Sequence, residues 1–346
     1  MNCLIGLLLA SLCVIPSGCS SQRPVSEAEL HVIRTYGWAS SVLDPAPEWN
    51  PKNFQLVART LTGFSLLEEG GRGERTYASE GRHAICFPRW INEYEFVFGP
   101  ATNATRSTDG HVIHPSDGLT VVDLSSNKPI RRRLSDRGFQ PKPTGLGEVC
   151  AQDEQHIIMI DDRGRSRMFS AGFDPEPQFG GAGLCWRDTP AFSPDWWTGK
   201  TGIGMLNVRW SPGHVDQVAG GIQAAWTWRG ELLVTAVKDT FPAGKPWWSA
   251  GTTLLLLTGP GSEPKLLRTN VRDPAPHPQA DLLAWVDDLG ALWIGTQRPD
   301  GWSERISTNG ERPRWSHDGL RLCWLEPTST DRRTPLIQVA VLGKRR

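Results

Sequence analysis

Short apolar runs recur along this chain, and each is preceded by a strand-ending residue and a polar turn. In the clearest unit, residues 313–324 (PRWSHDGLRLCW), Trp315 ends one strand, Ser-His-Asp-Gly forms the turn, and an apolar strand returns. Gly319 is free to adopt the positive φ that tight turns of this kind use. Weaker copies are centred near residues 90, 150, 179, 226 and 277. The pattern predicts six antiparallel β-hairpins.

The spacing of these hairpins predicts an architecture. They lie about 45 residues apart, and a four-stranded propeller blade needs roughly 40–50 residues. We therefore expect an all-β fold over residues 51–346, a six-bladed β-propeller with four-stranded antiparallel blades. A seventh blade would be present if residues 51–87 formed a blade of their own.

Strand positions within the blades also follow from the pattern. Third strands are predicted at residues 119–124, 203–208, 252–257 and 291–295. The Asp-Asp-x-Gly segments 161–164 and 287–290 are predicted to be tight turns between second and third strands. Residues 54–61 are predicted to pair with the last blade, because such a strand closes the ring and removes its open edge.

The 313–324 unit resembles the repeat of TolB-type periplasmic β-propellers and their WD-like relatives, which read Pro-x-Trp-Ser-Pro-Asp-Gly before a short apolar strand. The resemblance implies a periplasmic propeller. It covers the propeller part alone, because the N-terminal α/β domain of the TolB family is not visible. Residues 20–50 hold at most one helix, with Ser26 and Glu29 at the spacing of a capping box.

Composition supports the all-β interpretation and excludes some functions. Gly 36, Pro 27 and 16 Trp against 3 Tyr favour many turns and aromatic-rich strands. Lys+Arg and Asp+Glu are both 37, so the formal charge is zero, whereas nucleic-acid binding requires a basic excess. We expect no nucleic-acid partner and no polybasic membrane contact.

The N-terminus has the features of an export signal. Residues 4–15 form an apolar run that is too short for a membrane span but typical of a signal-peptide core. The run ends in Pro16-Ser17-Gly18-Cys19, which resembles a bacterial lipobox. The resemblance implies cleavage after residue 18, lipidation of Cys19, and a tether over residues 19–50 at the periplasmic side of the outer membrane. The alternative is an ordinary secretory signal and a soluble periplasmic or secreted protein.

Four cysteines lie outside the signal region. Their spacing matches no zinc motif, and we expect no metal. In an oxidising compartment they would form disulfides in one of three connectivities, but each lies in or beside an apolar run, where a buried free thiol is the alternative. These residues are Cys86, Cys150, Cys185 and Cys323.

A second repeat places two tryptophan pairs in equivalent loops. Segments 187–201 and 238–252 have equal length and matching landmarks, and both fall between second and third strands of successive blades. We predict that they lie side by side as an aromatic ligand-binding platform. The alternative is that the indoles pack into the clefts between blades. The candidate residues are Trp196, Trp197, Trp247, Trp248, Asp188 and Asp239.

No catalytic constellation is found in the sequence, and no cofactor motif. A Gly-x-Ser-x-Gly nucleophile elbow is absent. His111 and His114 would supply half of a metal site, but no third ligand accompanies them, which favours a solvated loop. We expect a non-catalytic scaffold that binds a protein or a glycan of the cell envelope. The alternative is a secreted propeller enzyme that acts on glycans, with two carboxyl groups converging in the channel.

Overall fold

The computed structural model describes residues 30–38, 47–59, 63–68, 74–78, 84–101, 105–106, 112–113, 118–126, 128–188, 204–237, 251–327 and 335–344. The expected signal peptide and Cys19 lie outside this part of the chain. Within it, no helix is long and apolar enough to cross a membrane.

The chain forms seven four-stranded antiparallel sheets arranged as the blades of a propeller. The first strand, β1 (Leu30–Trp38), belongs to the last blade. Blade 1 contains β2 (Glu48–Trp49), β3 (Leu56–Arg59), β4 (Gly63–Leu67) and β5 (Glu74–Ala78). Blade 2 contains β6 (Ala84–Trp90), β7 (Glu95–Ala101), β10 (Leu119–Asp123) and β11 (Ile130–Ser135), and the small hairpin β8 (Thr105–Arg106) and β9 (Val112–Ile113) lies between β7 and β10.

The remaining blades follow in chain order. Blade 3 contains β12 (Phe139–Pro143), β13 (Glu148–Asp153), β14 (His156–Asp161) and β15 (Ser166–Ala171), and blade 4 contains β16 (Phe173–Pro177), β17 (Leu184–Arg187), β18 (Met205–Ser211) and β19 (His214–Ala219). Blade 5 contains β20 (Gly221–Trp226), β21 (Leu232–Val237), β22 (Thr252–Leu257) and β23 (Lys265–Thr269). Blade 6 contains β24 (Val271–Pro276), β25 (Leu282–Asp287), β26 (Leu292–Thr296) and β27 (Ser303–Ser307), and blade 7 contains β28 (Glu311–Trp315), β29 (Arg321–Glu326), β30 (Leu336–Lys344) and β1.

Seven blades replace the six that we expected, because residues 48–78 form a blade of their own. The prediction for the closing strand was also wrong. Residues 56–59 are the second strand of blade 1, and the ring is closed by β1, which pairs antiparallel with β30. This strand lies N-terminal to residue 51, where we expected the propeller to begin.

Two predicted segments of blade 3 lie one strand further along the blade than we expected. The unit near residue 150 is the second and third strands of blade 3, β13 and β14, and the first strand is β12. The turn at residues 161–164 therefore joins third and fourth strands, whereas the turn at 287–290 joins second and third strands as predicted. The four predicted third strands are confirmed as β10, β18, β22 and β26.

The hydrophobic core is divided into seven clusters, one between each pair of neighbouring blades. Successive side chains of a strand point to opposite faces of the sheet, so one blade supplies two clusters. In β21, Leu232 packs towards blade 4 and the next residue, Leu233, packs towards blade 6. The cluster between blades 7 and 1 contains Trp49, Cys323 and Ile337, which closes the ring by packing as well as by pairing.

Neighbouring inner strands are joined by a recurring hydrogen bond, which we call the indole link. The inner strand is the first strand of each blade. A tryptophan at the end of this strand donates its Nε1–H to a carbonyl oxygen on the inner strand of the preceding blade. The four links are Trp49 to Arg314 at 3.0 Å, Trp90 to Glu48 at 3.1 Å, Trp226 to Glu176 at 3.0 Å and Trp315 to Ala275 at 2.9 Å. The other three blades carry proline at this position: Pro143, Pro177 and Pro276.

Three of the four cysteines are buried free thiols, as one of the two alternatives predicted. Burial raises the pKa of the Cys150 thiol to about 12, and it also raises the pKa values of Cys185 and Cys323. These thiols therefore stay protonated and act as small apolar side chains. The side chain of Cys86 lies outside the described part of the structure.

Candidate functional site

Most residues of the predicted aromatic platform lie outside the described residues. They are Trp196, Trp197, Trp247, Trp248 and Asp239, and His111 and His114 also lie outside. Asp188 is described. It follows β17, and its Oδ1 accepts a hydrogen bond of 2.8 Å from the Met205 amide at the start of β18. Asp188 therefore links the end of β17 to the start of β18.

The connections between the first and second strands of each blade all emerge on one side of the ring, which we call the hairpin face. A buried polar residue begins most of these turns and caps them. The side chains of Asn50, Thr144 and Thr227 each accept a hydrogen bond from a backbone amide of the same turn. Ser316 and His277 fill the equivalent position in blades 7 and 6. These caps give each hairpin one conformation.

Exposed apolar side chains are distributed around the hairpin face, one in each of six blades. Their exposed fractions range from 39% to 62%. We call this set the apolar ring: Phe54, Tyr94, Leu146, Phe179, Trp228 and Leu320. Sequence reasoning missed the ring, since it assigned the platform to the opposite side.

Contacts between hairpins hold members of the apolar ring in place. The guanidinium of Arg321 lies 3.4 Å from the centroid of the Phe54 ring, which joins blades 7 and 1. Phe179 lies over Gly145 of blade 3, where a Cβ would be 3.1 Å from the phenyl ring. Arg229, next to Trp228, forms a 2.7 Å ion pair with a carboxylate of blade 6. The surface is thus ordered before any partner binds.

A funnel leads from the hairpin face into the channel. It has a volume of about 220 Å³, and Trp49, Trp90 and His317 form part of its wall. Glu48 and Arg89 form an ion pair of 2.9 Å across blades 1 and 2. Burial lowers the pKa of His317, so its imidazole is neutral at pH 7. The funnel therefore combines indole surface with paired charges.

A second chamber lies deeper in the channel, away from the hairpin face. Its volume is about 230 Å³, and it is lined from the inner strands of blades 3 to 7. The ion pair between Lys142 and Glu176 borders both chambers. Burial lowers the pKa of Arg187, and Asp174 opposes that shift from 3.9 Å.

The described residues contain no group of three or more His, Cys, Asp or Glu side chains that would hold a metal ion. Each carboxylate of the two chambers faces a cation. Asp273, for example, accepts hydrogen bonds of 2.6 Å from both Arg272 and Gln223.

Comparison with known proteins supports the fold. The chain is similar to the β-propeller domain of Cps50 (Swd1) from Myceliophteria thermophila, with a TM-score of 0.55 and 13% identity, covering 90% of this chain and 99% of that one. The likeness confirms the β-propeller fold. No protein family model and no curated protein matches the chain. The TolB-like resemblance therefore stays a prediction.

Proposed function

We propose that this protein is a non-catalytic binding scaffold of the bacterial cell envelope, tethered through a lipid on Cys19 to the periplasmic side of the outer membrane. Its partner is a protein that docks on the hairpin face. The apolar ring is the observation that carries this proposal. Surfaces that bury aromatic anchors in a partner typically supply most of the binding energy from a few such residues.

The composition of the ring favours a protein over a glycan. Leu146 and Leu320 are aliphatic and offer no flat face for a sugar, whereas they pack well against apolar side chains. Aromatic members such as Phe179 and Trp228 serve as anchors that lose little conformational entropy on binding. The alternative is a glycan-acting enzyme, which requires two converging carboxyl groups. The described channel carboxylates Glu48, Glu176 and Asp273 each form an ion pair, which supports the scaffold over this alternative.

The docking proposal is tested with a double substitution and a matched control. Phe179→Ser with Trp228→Ser removes two ring anchors. Met168→Ser with Leu289→Ser removes two apolar side chains that are 70% and 87% exposed elsewhere on the propeller. Tagged variants are crosslinked in intact cells, and the captured proteins are compared by mass spectrometry. We expect to find a protein that the wild type and the control both capture, and its captured amount should fall at least about tenfold with the ring variant. Two anchors contribute about 2 kcal/mol or more to binding.

Three results decide the outcome. Equal capture by all three proteins would contradict docking on the hairpin face. Binding to purified peptidoglycan that depends on Phe179 and Trp228 would show that the partner is a glycan. A third variant with Trp196, Trp197, Trp247 and Trp248 changed to Ala tests the predicted platform, and loss of the partner from that variant alone would move the site to the opposite side.

The lipid anchor is tested separately. Cells that produce the wild-type protein are labelled with radioactive palmitate and compared with cells that produce Cys19→Ser. We expect label and outer-membrane fractionation for the wild type and neither for the variant. An unlabelled wild-type protein would contradict the anchor and leave the soluble alternative.

A further inference from the structure

The deeper chamber of the channel is built unlike the funnel. Its wall is dominated by charged groups from inner strands, and it lies away from the apolar ring. The cations are Lys142, Arg187, Arg312 and Arg314, and the carboxylates are Asp174, Glu176 and Asp273.

Ion pairs hold the three carboxylates of the described wall. Glu176 pairs with Lys142, and Asp174 lies 3.9 Å from Arg187. Asp273 pairs with Arg272 at 2.6 Å. Every carboxylate of the chamber therefore already faces a cation.

Arg314 stands apart from these pairs. Its guanidinium donates a 3.3 Å hydrogen bond to the carbonyl of Pro313, and no described carboxylate lies within ion-pair distance of it. Burial and the neighbouring charge of Arg314 together lower the pKa of Arg312 to about 10. With a pKa of about 10, Arg312 remains charged at pH 7. Two adjacent guanidinium groups in a recess attract an anion, and their planar N–H forks match carboxylate and phosphate oxygens.

A positive φ recurs at one position on the first strands of four blades, in the residue before a proline. These residues are Gln140, Asp174, Asp273 and Arg312, with φ values of 52°, 50°, 52° and 52°. The last three line the chamber, so the repeat of the blades brings them to its wall.

We propose that the deeper chamber binds a small ligand through an oxyanion, a carboxylate or a phosphate, held by Arg314 with Arg312 beside it. The volume of about 230 Å³ is below the roughly 300–1,000 Å³ of drug-sized pockets, so the ligand is a small molecule. The carboxylates of the opposite wall bind hydroxyl or amino groups of the same ligand. This site is independent of docking on the hairpin face.

The test titrates the full-length protein with sodium phosphate and, separately, with sodium succinate, at ionic strength held constant with chloride because screening alters anion affinity. Binding is measured by calorimetry for the wild type, Arg314→Gln and Arg314→Lys. Arg89→Gln removes the same charge from the equivalent position of blade 2, and Arg163→Gln removes it from an exposed turn. Circular dichroism checks that each variant is folded.

We expect saturable binding of at least one probe, weakened at least about tenfold by Arg314→Gln, because a hydrogen bond to a charged group contributes about 1.5–3 kcal/mol. Arg314→Lys should bind with intermediate affinity, and the two controls should bind like the wild type. Binding of phosphate alone or succinate alone identifies which oxyanion the site prefers. No saturable binding of either probe, or affinity within twofold of wild type for both Arg314 variants, would overturn the proposal.

Discussion

Removal of the indole link at the junction of blades 7 and 1 should destabilise the whole ring. Trp49 is 3% exposed, and its Nε1 lies 3.0 Å from the Arg314 carbonyl oxygen. In Trp49→Phe the carbonyl loses its partner, which costs about 1–2 kcal/mol, and the smaller ring leaves a void in the cluster with Cys323 and Ile337, which adds about 1 kcal/mol. We expect the free energy of unfolding to fall by about 2–3 kcal/mol.

The assay is urea unfolding followed by tryptophan fluorescence and circular dichroism, with wild type, Trp49→Phe and a control, Trp302→Phe. Trp302 is 38% exposed, and no hydrogen bond from its indole is present among the described residues, so its replacement should change the free energy by less than about 0.5 kcal/mol. Coincident transitions with an unchanged urea dependence would justify a two-state treatment. A Trp49→Phe protein as stable as the control would refute the idea that this link fastens the ring.

Three further predictions concern the hairpin face and the ring closure. Burial lowers the pKa of His277 to about 4, so the unfolded chain binds the imidazole proton more readily than the folded protein does. The stability present above about pH 6.5 should therefore be lost as the pH falls towards 4, by up to about 3 kcal/mol. His277→Gln should flatten this pH dependence when the free energy of unfolding is measured by urea titration at pH 7 and pH 4.5. Gly145→Ala should cost about 2 kcal/mol more stability than Gly147→Ala in thermal unfolding. Both glycines have positive φ, but a Cβ at Gly145 would lie 2.8 Å from the Gly180 nitrogen, whereas a Cβ at Gly147 would meet no atom within 4 Å. Equal losses of stability would contradict this contact. Deletion of residues 30–38 should expose β30 as an open edge and cause aggregation measurable by light scattering, and a monomeric deletion protein would show that β1 is dispensable.

The repeating part of the fold was predictable because its signal is local. A tryptophan or proline, a polar cap and an apolar return strand follow one another within about ten residues, so each inner hairpin can be recognised without knowing its neighbours. Blade 1 carries the same order in Trp49, Asn50 and the run from Leu56. It escaped prediction because its first strand, β2, is only two residues long, although Pro47 precedes Glu48 and Trp49 in the Pro-x-Trp order of the repeat.

The closing strand and the sites could not be predicted in the same way. The partner of β1 is β30, some 300 residues away, and no local pattern encodes that pairing. The apolar ring depends on turn residues such as Tyr94 and Trp228 being exposed together, which is a property of the closed ring. The charged chamber likewise combines residues from five blades. In blade 3 the predicted strands were shifted by one position. The first strand, β12 (Phe139–Pro143), was not recognised because it carries two prolines and little apolar character.

The two ends of the chain leave the propeller from the same end of one β-ladder. Leu30 pairs with Lys344, and Trp38 pairs with Ile337. Tension applied between the termini would therefore split this ladder one residue pair at a time, as a zipper opens, and would not load all of its hydrogen bonds at once. A mechanical pull should open blade 7 at low force while the other six blades stay folded. A molecule fixed at its N-terminus and gripped near its C-terminus would yield first at this ladder.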